Sequence, residues 1–180
     1  SPGALNFNLI IGYLMELRED VSKQNYLFSR ECVPLHWDGA FHTSPSVLAF
    51  QCVEAEGDGG ETVFSDTTRV WQAAAAEERR EWQDLWLHLA TEKKAHYGGV
   101  VEAPIVAQHP HTQETILRVA EPVTSDLNPV AMRLLGASSK NWIPEFSRRL
   151  MAAENSYAHK WQPGDVLLAD NHALLHGRRA

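Results

Sequence analysis

The chain opens as short apolar runs broken by polar turns. Tyr13-Leu14-Met15-Glu16-Leu17 has strand length and strand composition, and the charged Arg18-Glu19-Asp20 closes it as a turn. A second short run, Tyr26-Leu27-Phe28, leads through Val33 into Pro34-Leu35-His36-Trp37-Asp38-Gly39. Val47 to Val53 is almost continuously apolar, the pattern of a strand buried on both faces. An acidic, glycine-rich turn over 54–60 follows, and Glu61-Thr62-Val63-Phe64-Ser65-Asp66 restarts as a strand. The pattern then changes. From Thr67 to Lys94 there is no Gly or Pro, four alanines run together, and Trp82, Leu85, Trp86 and Leu89 recur at helical spacing, which predicts one or two amphipathic helices packed on a sheet. After Gly98-Gly99 strand signals return: residues 104–108 and 115–119 read as a β pair around the bend at His109-Pro110-His111-Thr112. Residues 124–155 predict a second helical region, capped and started at Asp126-Leu127-Asn128-Pro129 and restarted at Pro144. Tyr157 to Trp161 and Val166 to Asp170 are strand-like, with a turn at Gln162-Pro163-Gly164-Asp165 between them. The fold class expected is mainly β, a sandwich or barrel with helical insertions between its halves.

Composition narrows the function classes. At 180 residues the chain is one domain, or most of one. It carries 16 basic and 23 acidic residues, a net charge of −7, with no basic run, which argues against a nucleic-acid footprint. No apolar stretch reaches membrane-span length and the first residues lack a signal-peptide layout, so a soluble, cytoplasmic protein is expected. Cys32 and Cys52 sit near or within strand-like runs and are expected as reduced core thiols. The nine histidines make a metal site plausible without locating it.

His36 and Asp38 supply a location. In an extended chain, residues two apart face the same side, so one strand end presents an imidazole and a carboxylate to one point. Trp37, between them, faces the opposite way and is expected in the core. A third ligand has to come from elsewhere, and the run after the strand at 166–170 offers His172 and His176. Two histidines and one carboxylate make the facial triad that holds Fe(II) with positions left open. The histidines at 42, 88, 96, 109, 111 and 159 are expected in packing or solvated roles.

Four segments, in order, resemble the TauD/TfdA-like Fe(II)- and 2-oxoglutarate-dependent dioxygenases: Leu35-His36-Trp37-Asp38-Gly39; Gly59-Gly60-Glu61-Thr62-Val63-Phe64; His109-Pro110-His111-Thr112 with Ile116-Leu117-Arg118-Val119; and residues 161–176. The resemblance implies a double-stranded β-helix, a cupin-like jelly roll, with iron at one mouth. It implies His36, Asp38 and His176 as catalytic iron ligands, selecting His176 over His172 by the spacing from Asp170-Asn171, and Thr62 as a contact to 2-oxoglutarate. It further implies 2-oxoglutarate and O2 as cosubstrates of a small-molecule oxygenase. The family's arginine for the far carboxylate of 2-oxoglutarate is expected beyond Ala180; Arg178 and Arg179 lie too close to His176 and are expected to face solvent or substrate. Residues 1–180 are accordingly expected to be one oxygenase domain, shortened at both ends. His-Trp-Asp-Gly with Asn-His-Ala-Leu-Leu-His-Gly-Arg is similar to the isonitrile-biosynthesis (paerucumarin-type) branch, whose members desaturate or oxidatively decarboxylate amino-acid-derived isonitriles. The alternatives are a cupin-like metal-dependent hydrolase or isomerase, and a metal-free small-molecule binding protein.

Overall fold

The computed structural model describes residues 5–9, 13–20, 22, 26–55, 58–94, 97–124, 129–136 and 142–180. In chain order the elements are β1 (Leu5–Leu9), β2 (Tyr13–Leu17), a 3-10 turn at Tyr26–Phe28, β3 (Val33–His36), β4 (Val47–Cys52), β5 (Thr62–Asp66), α1 (Thr67–Ala73), α2 (Ala76–Gln83), β6 (Trp86–Lys94), β7 (Tyr97–Pro104), β8 (Val106–Gln108), β9 (Thr115–Leu117), β10 (Ala131–Leu135), α3 (Trp142–Leu150), β11 (Ser156–His159), β12 (Val166–Asp170) and β13 (Leu174–Arg178). Two four-stranded antiparallel sheets, β12-β4-β1-β2 and β11-β5-β13-β3, carry the scaffold; β10-β6-β7 and β8-β9 form smaller sheets. The fold is strand-rich with few helices, as the pattern predicts.

The β11-β5-β13-β3 sheet has two different faces, because side chains alternate along a strand. Leu35, Trp37 and Leu175 join the large core beneath the helices and the β10-β6-β7 sheet. Phe64 packs the other way, with Leu48, Phe50 and Ala169 of the first sheet. His176 stands directly opposite Phe64 on one side and His36 on the other, so both histidines share Phe64's face.

Two local features bring β3 and β13 together. The pairing shifts between His176↔His36 and Arg178↔Val33, a bulge that accommodates Pro34, which has no N–H for a regular ladder. Gly177 lies at the crossing: a Cβ there would sit 2.5 Å from the Val33 carbonyl oxygen. Only glycine permits this approach.

Between β5 and β11 the chain makes a long excursion over 67–155 and returns beside its starting point, where Asp66 N–H donates to Asn155 O at 2.8 Å and Ser156 pairs with Ser65. Asp66 caps α1 by accepting from Thr68 and Arg69 N–H.

Several expectations are corrected. The helical stretch from Thr67 ends at Gln83, and Trp86 and Leu89 lie on β6. Leu85, Leu87 and Leu89 are 1–2 % exposed while Trp86 is 46 % exposed, so the period there is two. The spacing of Trp82, Leu85, Trp86 and Leu89 fits a helix equally well; the burial of Leu87 decides. Among its described residues the second helical region contains β10, which pairs with β6, and one helix, Trp142–Leu150. Pro144 sits in that helix's first turn, where its missing N–H has no intrahelical role. The expected cap at 126–128 lies outside the described residues, as does the side chain of His96. β4 buries Leu48, Phe50 and Cys52 but leaves Gln51 exposed, so only one face is fully covered. Both cysteines are free; Cys52 is buried, whereas Cys32 is exposed and not in the core.

Candidate metal centre

His36 ends β3 with its ring held by its own strand: Nδ1–H donates to Pro34 O at 2.8 Å. That bond fixes the tautomer and leaves the Nε2 lone pair facing outward. Asp38 follows in a turn that Gly39 closes at φ +81°, where a Cβ would meet Thr43 O at 2.6 Å. Asn171, fully buried, grips this turn from the other side of the chain. Its Oδ1 accepts from Asp38 N–H and its Nδ2 donates to Asp38 O and Pro45 O, each at 2.9 Å. Asp170 Oδ1 accepts from the N–H groups of His172 and Ala173 at 2.8 and 3.1 Å, which reverses the chain between β12 and β13. Two residues into β13, His176 then meets the early pair.

The ring centroids of His36 and His176 are 4.3 Å apart. Asp38 Oδ1 lies 3.4 Å from His36 Nε2 and 3.8 Å from His176 Nε2, and the three donor atoms fall within 4.8 Å of one another. Among the described residues this is the group of His, Cys, Asp and Glu side chains able to hold a metal ion. Burial would raise the Asp38 carboxyl, but the imidazoles of His176 and His36 that face it, His36 with a hydrogen bond, pull it down to about 2. Burial, and then the neighbouring His36, push His176 down to about 3, so this imidazole is neutral. Burial would also lower His36, yet the hydrogen bond and charge of Asp38, with the carbonyls of Pro34 and His176, outweigh it and raise the ring. A carboxylate and a neutral imidazole are in the state that metal binding requires, and a cation would replace the proton favoured on His36. The donor set fits Fe(II).

His172 takes no part in this group. Its Nδ1 receives a hydrogen bond from Arg118, and its ring packs 5.3 Å from His109 and 6.3 Å from His111. Thr62 is buried on β5, two residues from Phe64 and on the same face, where its Oγ1 accepts from Trp161 Nε1 at 2.9 Å. Arg178 is half-buried rather than solvated: it donates to the carbonyls of Leu27, Ser29 and Glu31 and pins the segment before β3. Arg179 is exposed, and its backbone N–H bonds Glu61 O.

His109, expected in a packing or solvated role with no partner, is 4 % exposed and bonded at both ring nitrogens. Nε2–H donates to Asp170 Oδ2 at 2.9 Å, and Nδ1 accepts from His111 and Thr112 N–H, both at 3.1 Å. His88 and His159 also have acid partners, Glu102 and Asp165. Asn171 and Arg118 were visible in motifs, but nothing local to them announced their partners.

Two imidazoles and one carboxylate converging from facing strands of an antiparallel sheet define the facial-triad class of metal centre. Residues 12–180 match the model of the "Taurine catabolism dioxygenase TauD, TfdA family", and the chain belongs to that family. It is 43 % identical over 176 residues to a 3-((Z)-2-isocyanoethenyl)-1H-indole synthase of Fischerella ambigua, covering 93 % of this chain and 64 % of the relative. It is 36 % identical over 179 residues to a tyrosine isonitrile desaturase of Pseudomonas aeruginosa, covering 94 % and 61 % respectively. Among solved structures it is similar to PvcB, described as an Fe, alpha-ketoglutarate dependent oxygenase from an isonitrile synthetic pathway, with a TM-score of 0.69 and 31 % identity over 98 % of this chain and 58 % of that one. The chain thus spans less than two thirds of the length of these relatives.

Proposed function

We propose that this chain carries the metal-binding scaffold of an Fe(II)- and 2-oxoglutarate-dependent oxygenase whose small-molecule substrate is an amino-acid-derived isonitrile, desaturated or oxidatively decarboxylated. The observation that carries this reading is the approach of the His36, Asp38 and His176 donor atoms within 4.8 Å. The named activities of the relatives support the substrate class. The two four-stranded sheets are the two halves of a jelly roll in this reading, and residues 1–180 belong to one domain. With both cysteines unpaired, the cytoplasm is the compartment that suits it.

Fe(II) held by His36, Asp38 and His176 would supply oxidation of the substrate coupled to conversion of 2-oxoglutarate and O2 into succinate and CO2. The chain's own groups do the rest. Asn171 holds the Asp38 turn and Pro34 fixes the His36 ring, so the donors are oriented before a metal arrives. Thr62 Oγ1 already accepts a hydrogen bond from Trp161 Nε1–H, which leaves its own O–H to donate to a 2-oxoglutarate carboxylate. Phe50 and Phe64 place apolar rings 5.7 and 6.4 Å from the His176 ring. The test is succinate release by purified full-length protein. Release is expected only with Fe(II) and to vanish in His36→Ala; release that survives this substitution overturns the assignment.

A further inference from the structure

Arg118 follows β9 and reaches the turn between β12 and β13 that delivers His176. Leu117 N–H donates to Thr67 Oγ1, which itself donates to Ala173 O, so the strand end rests on residues 171–173. The half-buried guanidinium lies over the Trp37 ring, 5.4 Å from its centroid. Nη1 donates to Asn171 O at 2.9 Å, and Asn171 is the residue that grips Asp38; Nη2 donates to His172 Nδ1. A guanidinium has five N–H donors, and here two are engaged, both by neutral acceptors. Among the described residues no carboxylate lies within ion-pair distance of it. Asp170 is the acid it senses, but that carboxylate is committed to His109 and to two backbone N–H groups. A half-buried cation without a counter-ion is costly, and a planar fork with free donors matches a carboxylate.

Position identifies which carboxylate. Thr62 pairs with Arg178 at the far end of β13, whereas Arg118 holds the turn just before Leu174. His176 lies between them. If 2-oxoglutarate takes the Thr62 side, the Arg118 side is left for the substrate. An amino acid converted to its isonitrile loses the ammonium charge and keeps one formal charge, the α-carboxylate. We propose that Arg118, oriented by His172 and Asn171, is the anchor for the substrate's carboxylate and so selects acids over uncharged isonitriles. The inference rests on the oxygenase reading above.

The test uses full-length protein with Fe(II) and 2-oxoglutarate, and two probes: 2-isocyano-3-(4-hydroxyphenyl)propanoate and its methyl ester. The wild-type protein is expected to prefer the acid by about 30-fold or more in kcat/KM. Arg118→Gln is expected to bring that ratio to within about 3-fold, and Arg118→Lys to an intermediate value. Equal losses for acid and ester would reduce Arg118 to a prop for Asn171 and overturn the proposal. A rise in KM for 2-oxoglutarate larger than that for the acid would assign the arginine to the cosubstrate and overturn it too. A wild-type protein indifferent to esterification overturns it without any variant. Absence of Fe(II)-dependent succinate release by the wild type would instead defeat the oxygenase reading itself.

Discussion

Two clusters that meet at the connection between β12 and β13 use the same kinds of side chain to opposite ends. Asp38 meets His36 and His176 at 3.4 and 3.8 Å; Asp170 meets His109 at 2.9 Å with His172 and His111 close by. In the second cluster both ring nitrogens of His109 are consumed and both oxygens of Asp170 are engaged. His109 gives its Nε2–H to Asp170 and receives two backbone N–H groups at Nδ1, and Asp170 Oδ1 takes two more. In the first, Nδ1 of His36 is tied to Pro34 while the Nε2 atoms of both histidines are left to face a single carboxylate oxygen. Lone pairs left without a proton donor, rather than histidine and aspartate as such, separate a cation site from a structural clamp.

Removing a triad member should break the contrast most sharply. His36→Ala or Asp38→Ala is expected to lower Fe(II)-dependent succinate formation by about 1,000-fold or more, read by turnover and by metal content of the purified protein. Gly177→Ala should follow, because its Cβ would overlap the Val33 carbonyl at 2.5 Å; a loss of ~2–4 kcal/mol is expected in denaturant unfolding. His109→Ala strikes the clamp and leaves Asp170 Oδ2 and two backbone N–H groups without partners, for ~2–3 kcal/mol of stability and a ~10- to 100-fold weaker metal affinity. The smallest effect is on acid stability. Burial would raise Asp170, but the N–H groups of His172 and Ala173 and the His109 bond hold it below the usual carboxylate range. Its folded value being depressed, its contribution is present above about pH 4 and lost as pH falls through the folded value. Asp170→Asn should therefore flatten the acid limb of the stability profile, followed by circular dichroism.

The early half of the candidate site was legible because it is local: His36 and Asp38 are two apart, although β3 ends at His36 and Asp38 is held beside it by a turn that Gly39 and Asn171 shape. Trp37 in the core follows from the alternation of an extended chain. His176 needed the family motif, since composition and spacing left His172 equally eligible; the bond from Arg118 that turns His172 away connects residues 54 apart in sequence. The His109–Asp170 pair spans 61 residues and has no local signature at all. Strands 62–66 and 166–170 were readable from apolar runs, whereas 86–94 was read as helix because its leucines and tryptophans satisfy both periods until burial is known. Arg178 was misread because its partners are main-chain carbonyls of a segment 147–151 residues upstream.

The closure of residues 67–155 at Asp66–Asn155 has an evolutionary corollary. An excursion that leaves and rejoins the scaffold at adjacent strands can change in length without displacing β5 or β11, provided that it still bonds β3 at Leu35, as Glu121 does through its N–H and its carboxylate. Any variant of the excursion would have to keep a hydrogen-bond donor for Asp170 and the pairing with Leu35, two requirements that limit which covers this frame accepts.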